Sequence, residues 1–501
     1  MVKREHWGTR YGFLMAAIGS AIGLGNIWRF PYITYKSGGG AFFIPYLFAL
    51  ITAGIPLLVL EIGLGAKTRR SSPLAFEKLT GKKRYGWVGW WATIGSLLLV
   101  SYYSVIMAWT LSYLIKAPTL AWGTDPNTYF MKDFLGWTGN PLNLGGIRLE
   151  ILIALVVVWT INWLIVGKGV RKGIECVTKI MIPLSWIIIA ILVIRSLTFP
   201  GAMEGVNWYL NPDFSKLRNP RVWLDAYGQV FFTLSVGQGA MIIYGSYLKG
   251  KSDIVNNSFI IAFADSIFAF LAGFAVFGTL GFMASQMGVG IDEVVVSGAE
   301  LAFVTYPKAI SMLGAGSGII GVLFFFLLLM AGLSSSICLT EVSTGGLMGS
   351  FKMSRKKAAT VACGVSLLAG IIYTTGGGFG WLNLMDNYIN YFSLALVGAL
   401  EALLIGWVFK ARRFRIWVNF TSEICVGRWW DWCIKLVTPF ILVTTLVWTS
   451  MSILKAGYPI EAPYPSLALL LGFLIILAGM IAAFLCVRLT KVDVTREKFK
   501  V

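Results

Sequence analysis

Residues 19–26 read GSAIGLGN, placing Gly19, Gly23 and Gly25 in the middle of a stretch that is otherwise apolar from Tyr11 to Phe30. Each glycine costs an α-helix about 1 kcal/mol relative to alanine, so an unbroken helix is poorly specified here. Two readings are open from the octet alone. Gly19-x-x-x-Gly23 fits the small-xxx-small pattern through which membrane helices approach closely. Alternatively the helix is broken, and the freed N–H and C=O groups line a site, because lipid cannot satisfy them.

Composition fixes the solvent. Of 501 residues, 57% are hydrophobic and 13% charged, with 20 Trp and 33 Phe, and the mean hydropathy is +0.75. A soluble chain could not bury that much apolar surface. Apolar runs long enough to cross a hydrocarbon core of about 30 Å recur at 11–35, 40–66, 86–117, 148–167, 174–199, 222–248, 254–285, 317–349, 356–374, 383–409, 433–454 and 466–489. They predict an all-α polytopic membrane protein with twelve transmembrane helices, numbered here spans 1–12. The non-spanning stretches include a polar loop over 118–147 and a segment over 286–316 expected to dip back towards the protein.

The net charge of +19 follows topology. Lys and Arg cluster at the N-terminus (MVKREHWGTR), in alternate loops (AKTRR with GKKRYG, GKGVRKG, LKGKSD, KMSRKK, KARRFRIW) and in the tail after span 12. That is the positive-inside pattern, with both termini cytoplasmic and the basic loops against anionic lipid; it argues against nucleic acid as a partner. The N-terminus shows no cleaved signal peptide. The six cysteines have no metal-ligand spacing and read as packing residues. The sole histidine, His6, has no catalytic constellation around it, which argues against an enzyme. Two internal halves with interrupted helices are equally unlike the short repeated subunit of a channel.

Span 6 decides between the two readings of the octet. It carries GQVFFTLSVGQGAMIIYGSY, with Gly237 and Gly239 near mid-membrane and polar Thr233, Ser235 and Gln238 beside them. Spans 1 and 6 lie five apart, and a five-helix unit repeated once returns upside down. Glycine-interrupted spans at matching positions of two halves point to a transporter binding site. Freed helix N-termini favour a carboxylate and freed carbonyls a cation. Asn26 follows the octet, Asp265 stands alone in apolar span 7, and Ser334 and Ser335 lie in span 8. A bare Asp in hydrocarbon costs about 2.5–3.5 kcal/mol, so it needs an ion or a proton; the serines fit either ion ligands or back-bonding to their own helix.

These motifs carry a resemblance. REHWGTRYGFLMAAIGSAIGLGNIWRFPYITYKSGGGAFFIPY, GIPLLVLEIGLG, YYSVIMAW, KGIECVTKIMIP, GQVFFTLSVGQGA, AGLSSSI and LMDNYINYFSLALVGALEAL resemble the neurotransmitter:sodium symporter family, and its bacterial leucine-transporting members most. The resemblance implies a leucine-transporter-like fold, a five-plus-five inverted repeat with unwound spans 1 and 6. The implied organisation is one transporter domain: a cytoplasmic segment over 1–10, a first repeat over 11–199, an inverted second repeat over 222–409, spans 11 and 12 over 433–489, and a cytoplasmic tail over 490–501. It also implies two sodium sites. Ala21, Asn26, Thr233 and Asp265 correspond to the first, which the substrate carboxylate completes. Gly19, Ile22, Ala331, Ser334 and Ser335 correspond to the second. The α-carboxylate would meet the Leu24 and Gly25 N–H groups and the Tyr103 hydroxyl, and the ammonium the carbonyls of Ala21 and Phe232. Ser20, Leu99, Phe232, Ser235, Gln238, Ser335 and Leu339 would surround the side chain. Arg29 and Asp386 resemble the outer gate, with Phe232 as its lid, and Arg4, Trp7, Ser246 and Tyr247 the inner gate.

Several positions depart from the family or select within it. Asp265 stands where an Asn is usual, and Ala269 replaces the Ser of chloride-dependent members. A carboxylate at 265, near Tyr46 and Gln229, supplies the negative charge that chloride supplies elsewhere, so chloride is not expected. Gly349 replaces the acidic partner of Arg4, leaving the inner seal to contacts such as Trp7 and Glu175. Gln238 replaces an aromatic residue, which fits either a partly polar substrate side chain or an amide bonded to its neighbours. Gly23 stands where monoamine carriers have Asp, so the substrate must bring its own carboxylate. The expected function is sodium-coupled uptake of a neutral amino acid by alternating access. A sensor of the same fold and a symporter for another carboxylate-bearing zwitterion remain open. Spans 11 and 12 are left for lipid packing or a homodimer contact.

Overall fold

A computed structural model describes residues 5–250, 252–295, 298–314, 316–456, 458 and 464–495. Ten of the expected spans are helices long and apolar enough to cross a membrane: Gly40–Thr68, Lys83–Thr119, Leu149–Gly167, Val170–Leu197, Ile254–Met287, Ser317–Phe351, Arg355–Thr374, Gly378–Val408, Arg428–Ile453 and Ser466–Leu489. The remaining two, spans 1 and 6, are the glycine-interrupted ones. Span 1 is Arg10–Ala21 followed by Gly25–Lys36, bent by 50° at the octet. Span 6 is Pro220–Thr233 followed by Ala240–Gly245, and neither half is long enough to cross alone.

Spans 1, 3 and 8 lie at the centre. Span 3 packs extensively against span 8, and span 1 lies against spans 5, 7 and 8. Burial follows from this placement. Much of span 8 is buried on every side, including Ser334, Ser335, Ser336, Thr340 and Glu341. Spans 11 and 12 instead present Phe440, Trp448, Phe473 and Leu489 outward. A helix apolar all round belongs in the core or against lipid, and the polar residues of span 8 place it in the core.

The segment before span 8 does fold back. Leu301–Ser311 is helical and buries Phe303, which lies 5.8 Å from the Trp109 ring and 5.1 Å from the Tyr113 ring of span 3. Tyr306 stacks on Phe324 at 4.1 Å. Three helices of nine to eleven residues were not anticipated: Ser72–Thr80 between spans 2 and 3, Ala202–Leu210 between spans 5 and 6, and Ala411–Thr421 within the basic stretch after span 10. All three are too short to give a hydropathy signal.

Candidate substrate and sodium site

The break in span 1 begins where Ile22 turns extended (ψ 100°) after Ala21. In span 6, Ser235, Gly237 and Gly239 take φ of +52°, +74° and +71°. Left-handed backbone at three positions in five residues ends one helix and starts the next, and two of the three are the glycine that tolerates it. Partners from other spans hold the freed backbone. Gly237 N–H donates to Glu61 Oε1 at 2.6 Å, Ser96 Oγ donates to Gln238 O at 2.7 Å, and Ser235 Oγ donates to Ser20 O at 2.8 Å, joining the two breaks directly.

Asp265 is fully buried beside both breaks. Its carboxylate accepts Asn26 Nδ2–H at 2.7 Å and Thr233 Oγ1–H at 3.0 and 2.9 Å, and Asn26 Oδ1 accepts Gly23 N–H at 2.9 Å. Spans 1, 6 and 7 thus bring a carboxylate, an amide and a hydroxyl to one point, an oxygen-rich set suited to a hard monovalent cation. Of the second group, Ser334 Oγ donates to Ala331 O at 2.9 Å, and Ser335 Oγ to Ser20 O and Ala331 O at 3.2 and 3.3 Å. The back-bonding alternative for these serines is therefore realised here, and Ser335 reaches across to span 1 as well. Gly19 faces them closely, since a Cβ there would lie 3.2 Å from Ser334 Cβ.

Tyr103 O–H accepts Leu24 N–H at 3.4 Å. A Cβ on Gly23 would come within 3.0 Å of Ser335 Oγ and 3.3 Å of the Tyr103 oxygen, and one on Gly25 within 2.6 Å of Phe232 Cε1. The octet's glycines therefore leave a cradle between a hydroxyl pair and the Phe232 ring. Ser20, Leu99, Ser235, Gln238 and Leu339 are all buried.

The Arg29 guanidinium lies 4.9 Å over the Phe232 ring. Asp386 accepts Tyr102 O–H and Asn390 Nδ2–H, each at 2.8 Å, and no ion pair closes between Arg29 and Asp386. On the side of the N-terminus, Trp7 Nε1–H donates to Tyr244 O at 2.9 Å, and Trp7 N–H to Tyr247 O at 3.1 Å. Ser246 Oγ donates to Ile243 O within its own helix. Glu175 accepts Gly8 N–H at 2.6 Å and Thr9 O–H at 3.1 Å. Arg4 lies outside the described residues.

Sequence reasoning missed the carboxylates that hold these elements. Glu61 holds Gly237 N–H, and Glu401, like Glu61, is fully buried. Glu341 of span 8 takes Arg355 Nη1 at 2.7 Å and Nη2 at 2.9 Å, while Tyr247 O–H donates to it at 2.5 Å; Arg355 Nε also donates to Glu5 Oε1 at 2.6 Å. Glu61, Glu401 and Glu341 were visible by the signal that singled out Asp265, an acid inside a membrane span.

Two helices broken at mid-membrane, with oxygen ligands from three spans converging on the breaks, define a secondary transporter. The chain belongs to the sodium:neurotransmitter symporter family, whose model matches residues 4–130 and 124–494. It is 41% identical over 475 residues to an uncharacterized sodium-dependent transporter, MJ1319, of Methanocaldococcus jannaschii, covering 95% of this chain and 96% of that one. It is 32% identical over 519 residues to the human sodium- and chloride-dependent GABA transporter 2, covering 96% of this chain and 85% of that one. Among solved structures it is similar to MhsT in complex with L-phenylalanine, with a TM-score of 0.76 and 33% identity over 89% of this chain and 99% of that chain.

Proposed function

We propose that this chain takes up a neutral amino acid together with two sodium ions, without chloride, with both termini in the cytoplasm and with residues 11–199 and 222–409 as inverted repeats. The carrying observation is the Asp265 cluster: a buried carboxylate met by Asn26 and Thr233 at the junction of the two breaks. Sodium beside Asp265 faces the Leu24 and Gly25 N–H groups and Tyr103, where an α-carboxylate completes its shell. Cation and substrate then raise each other's affinity by the same factor. With Gly23 leaving space beside Ser335 and Tyr103, the protein brings no carboxylate of its own to that spot, which favours an amino acid over an amine. The phenylalanine bound by MhsT supports the same class. Asp265 already supplies a fixed negative charge and Ala269 offers no anion ligand, which supports chloride independence. Sodium entering down its gradient drives the bundle of spans 1, 2, 6 and 7 against the remaining helices, closing the Arg29 and Phe232 side before the Trp7 side opens.

The test is the thermal stability of purified protein with each amino acid in sodium chloride, sodium gluconate and potassium chloride. Stabilisation by one or a few neutral amino acids in both sodium salts, and none in potassium, is expected. Stabilisation in sodium that required chloride would overturn chloride independence, and none in sodium would overturn the amino-acid substrate.

A further inference from the structure

On the side of the N-terminus, away from the central site, the chain folds around a polar cavity of about 330 Å³. Its walls come from Trp7–Arg10 at the start of span 1, from Leu248, Lys249, Ser252 and Asp253 between spans 6 and 7, from Asn257 in the first turn of span 7, and from Glu423 after span 10. Among the described lining residues four are charged, Arg10 and Lys249 against Asp253 and Glu423, so the wall is divided in sign. Asn257 is 1% exposed. Its Oδ1 accepts Arg10 Nε–H at 2.9 Å, which fixes the amide orientation and leaves Nδ2 buried with no hydrogen-bond partner among the described residues. Asp253 Oδ1 caps span 7 by accepting Asn256 N–H at 3.2 Å. Its Oδ2 stands 3.8 Å from Arg10 Nη2, buried and likewise without a hydrogen bond.

Buried polar atoms are almost always hydrogen-bonded, so an orphan donor and an orphan acceptor sharing one cavity call for a ligand that brings the complement of each. That ligand carries a carboxylate for Asn257 Nδ2 and the two cations, and an ammonium for Asp253 and Glu423. The volume falls at the lower end of the range for small-molecule sites, roughly 300–1,000 Å³.

We propose that this cavity is a second amino-acid site, filled from the cytoplasm, that holds the inner side shut and slows uptake as product accumulates. The proposal rests on the substrate class and orientation assigned above. One wall, Trp7–Arg10, leads directly into the first half of span 1 and is pinned to Tyr244 and Tyr247. Opening the inner side removes that wall and dismantles the cavity, so a zwitterion bound there stabilises the closed form by its full binding free energy.

The test uses the full chain in phosphatidylglycerol nanodiscs, where no zwitterionic headgroup competes. Equilibrium binding of each neutral L-amino acid, tritiated, is measured in sodium chloride for wild type and for the double variant Lys249→Gln/Glu423→Gln, both exposed residues outside the central site. Two equivalents in wild type and one in the variant are expected. In proteoliposomes, amino acid on the N-terminal side should cut wild-type uptake about threefold or more and leave the variant untouched. One equivalent in both proteins, or equal inhibition of both, would overturn the second site and leave the central reading standing. No binding of any amino acid to either protein would instead remove the central reading, and this one with it.

Discussion

Gly25 is where the smallest change should have the largest effect on binding. A methyl group there meets Phe232 Cε1 at 2.6 Å, well inside van der Waals contact, and overpacking of this kind costs about 1–3 kcal/mol. The strain falls on the lid and on an N–H assigned to the substrate carboxylate. Gly25→Ala should therefore weaken amino-acid binding about tenfold or more, read by isothermal titration, while wild-type affinity would refute the assignment. Glu77 makes a different prediction. It lies on Ser72–Thr80, between spans 2 and 3, with both carboxylate oxygens buried and unpartnered among the described residues. Burial pushes its carboxyl from 4.5 up to about 7, with Lys83 pulling it down and Asp493 pushing it up. The folded chain holds this proton more tightly than the unfolded one. Its contribution is therefore full below pH 4.5 and lost as pH rises through about 7. Glu77→Gln should flatten that fall in a Tm–pH profile; a parallel fall in the variant would assign it to other groups. Asn26, Thr233 and Asp265 were legible because each is a polar residue inside an apolar run. That Asp386 would take Tyr102 and Asn390 on one oxygen was not, because those partners come from span 3 and from the next turn of its own helix, which residue type alone does not show.

At the scale of the element, the glycine spacing of spans 1 and 6 carried the fold. Enough helix-breaking residues at mid-membrane leave few alternatives to a break, and a break leaves few alternatives to a site. What spacing cannot give is the partner across the break. Gly237 N–H has its acceptor on span 2, in Glu61, and losing that acceptor strands a buried donor at a cost of about 1–3 kcal/mol. Glu61→Ala should lower Tm and abolish uptake. Glu61→Gln, which keeps an acceptor oxygen, should retain most of the stability, and equal losses in the two variants would show that the charge matters rather than the hydrogen bond. Ala202–Leu210 was illegible for another reason. Nine residues, half of them facing solvent, give no periodic signal strong enough to separate a helix from a loop.

Across the whole molecule, the N-terminal side is tied together by a network that the sequence only hinted at. Gly349 removes an expected acid, and Arg355 draws the same elements together by another route. It reaches Glu5 ahead of span 1, Val166 O at the end of span 4, Glu341 of span 8, and Tyr247 after span 6. Glu5 in turn accepts Val170 N–H at 2.7 Å. The Arg355 side chain is only 10% exposed and that of Glu341 is 0%, so removing the cation leaves a buried carboxylate unpaired at a cost of about 3–5 kcal/mol. The proposed opening of the inner side parts these elements, so that cost falls on the closed form and the equilibrium should move towards the form open on the N-terminal side. Cys338 reports it, being fully buried beside Ser20 and Tyr244. With the other five cysteines replaced by serine, Arg355→Gln should raise maleimide labelling of Cys338 about tenfold or more. Arg355→Lys should fall between, since an ammonium cannot reproduce the paired contacts of the guanidinium with Glu341. Sodium should slow labelling in wild type and recover less of that protection in Arg355→Gln. An unchanged labelling rate in Arg355→Gln would mean that Trp7 and Glu175 hold the inner side closed without it.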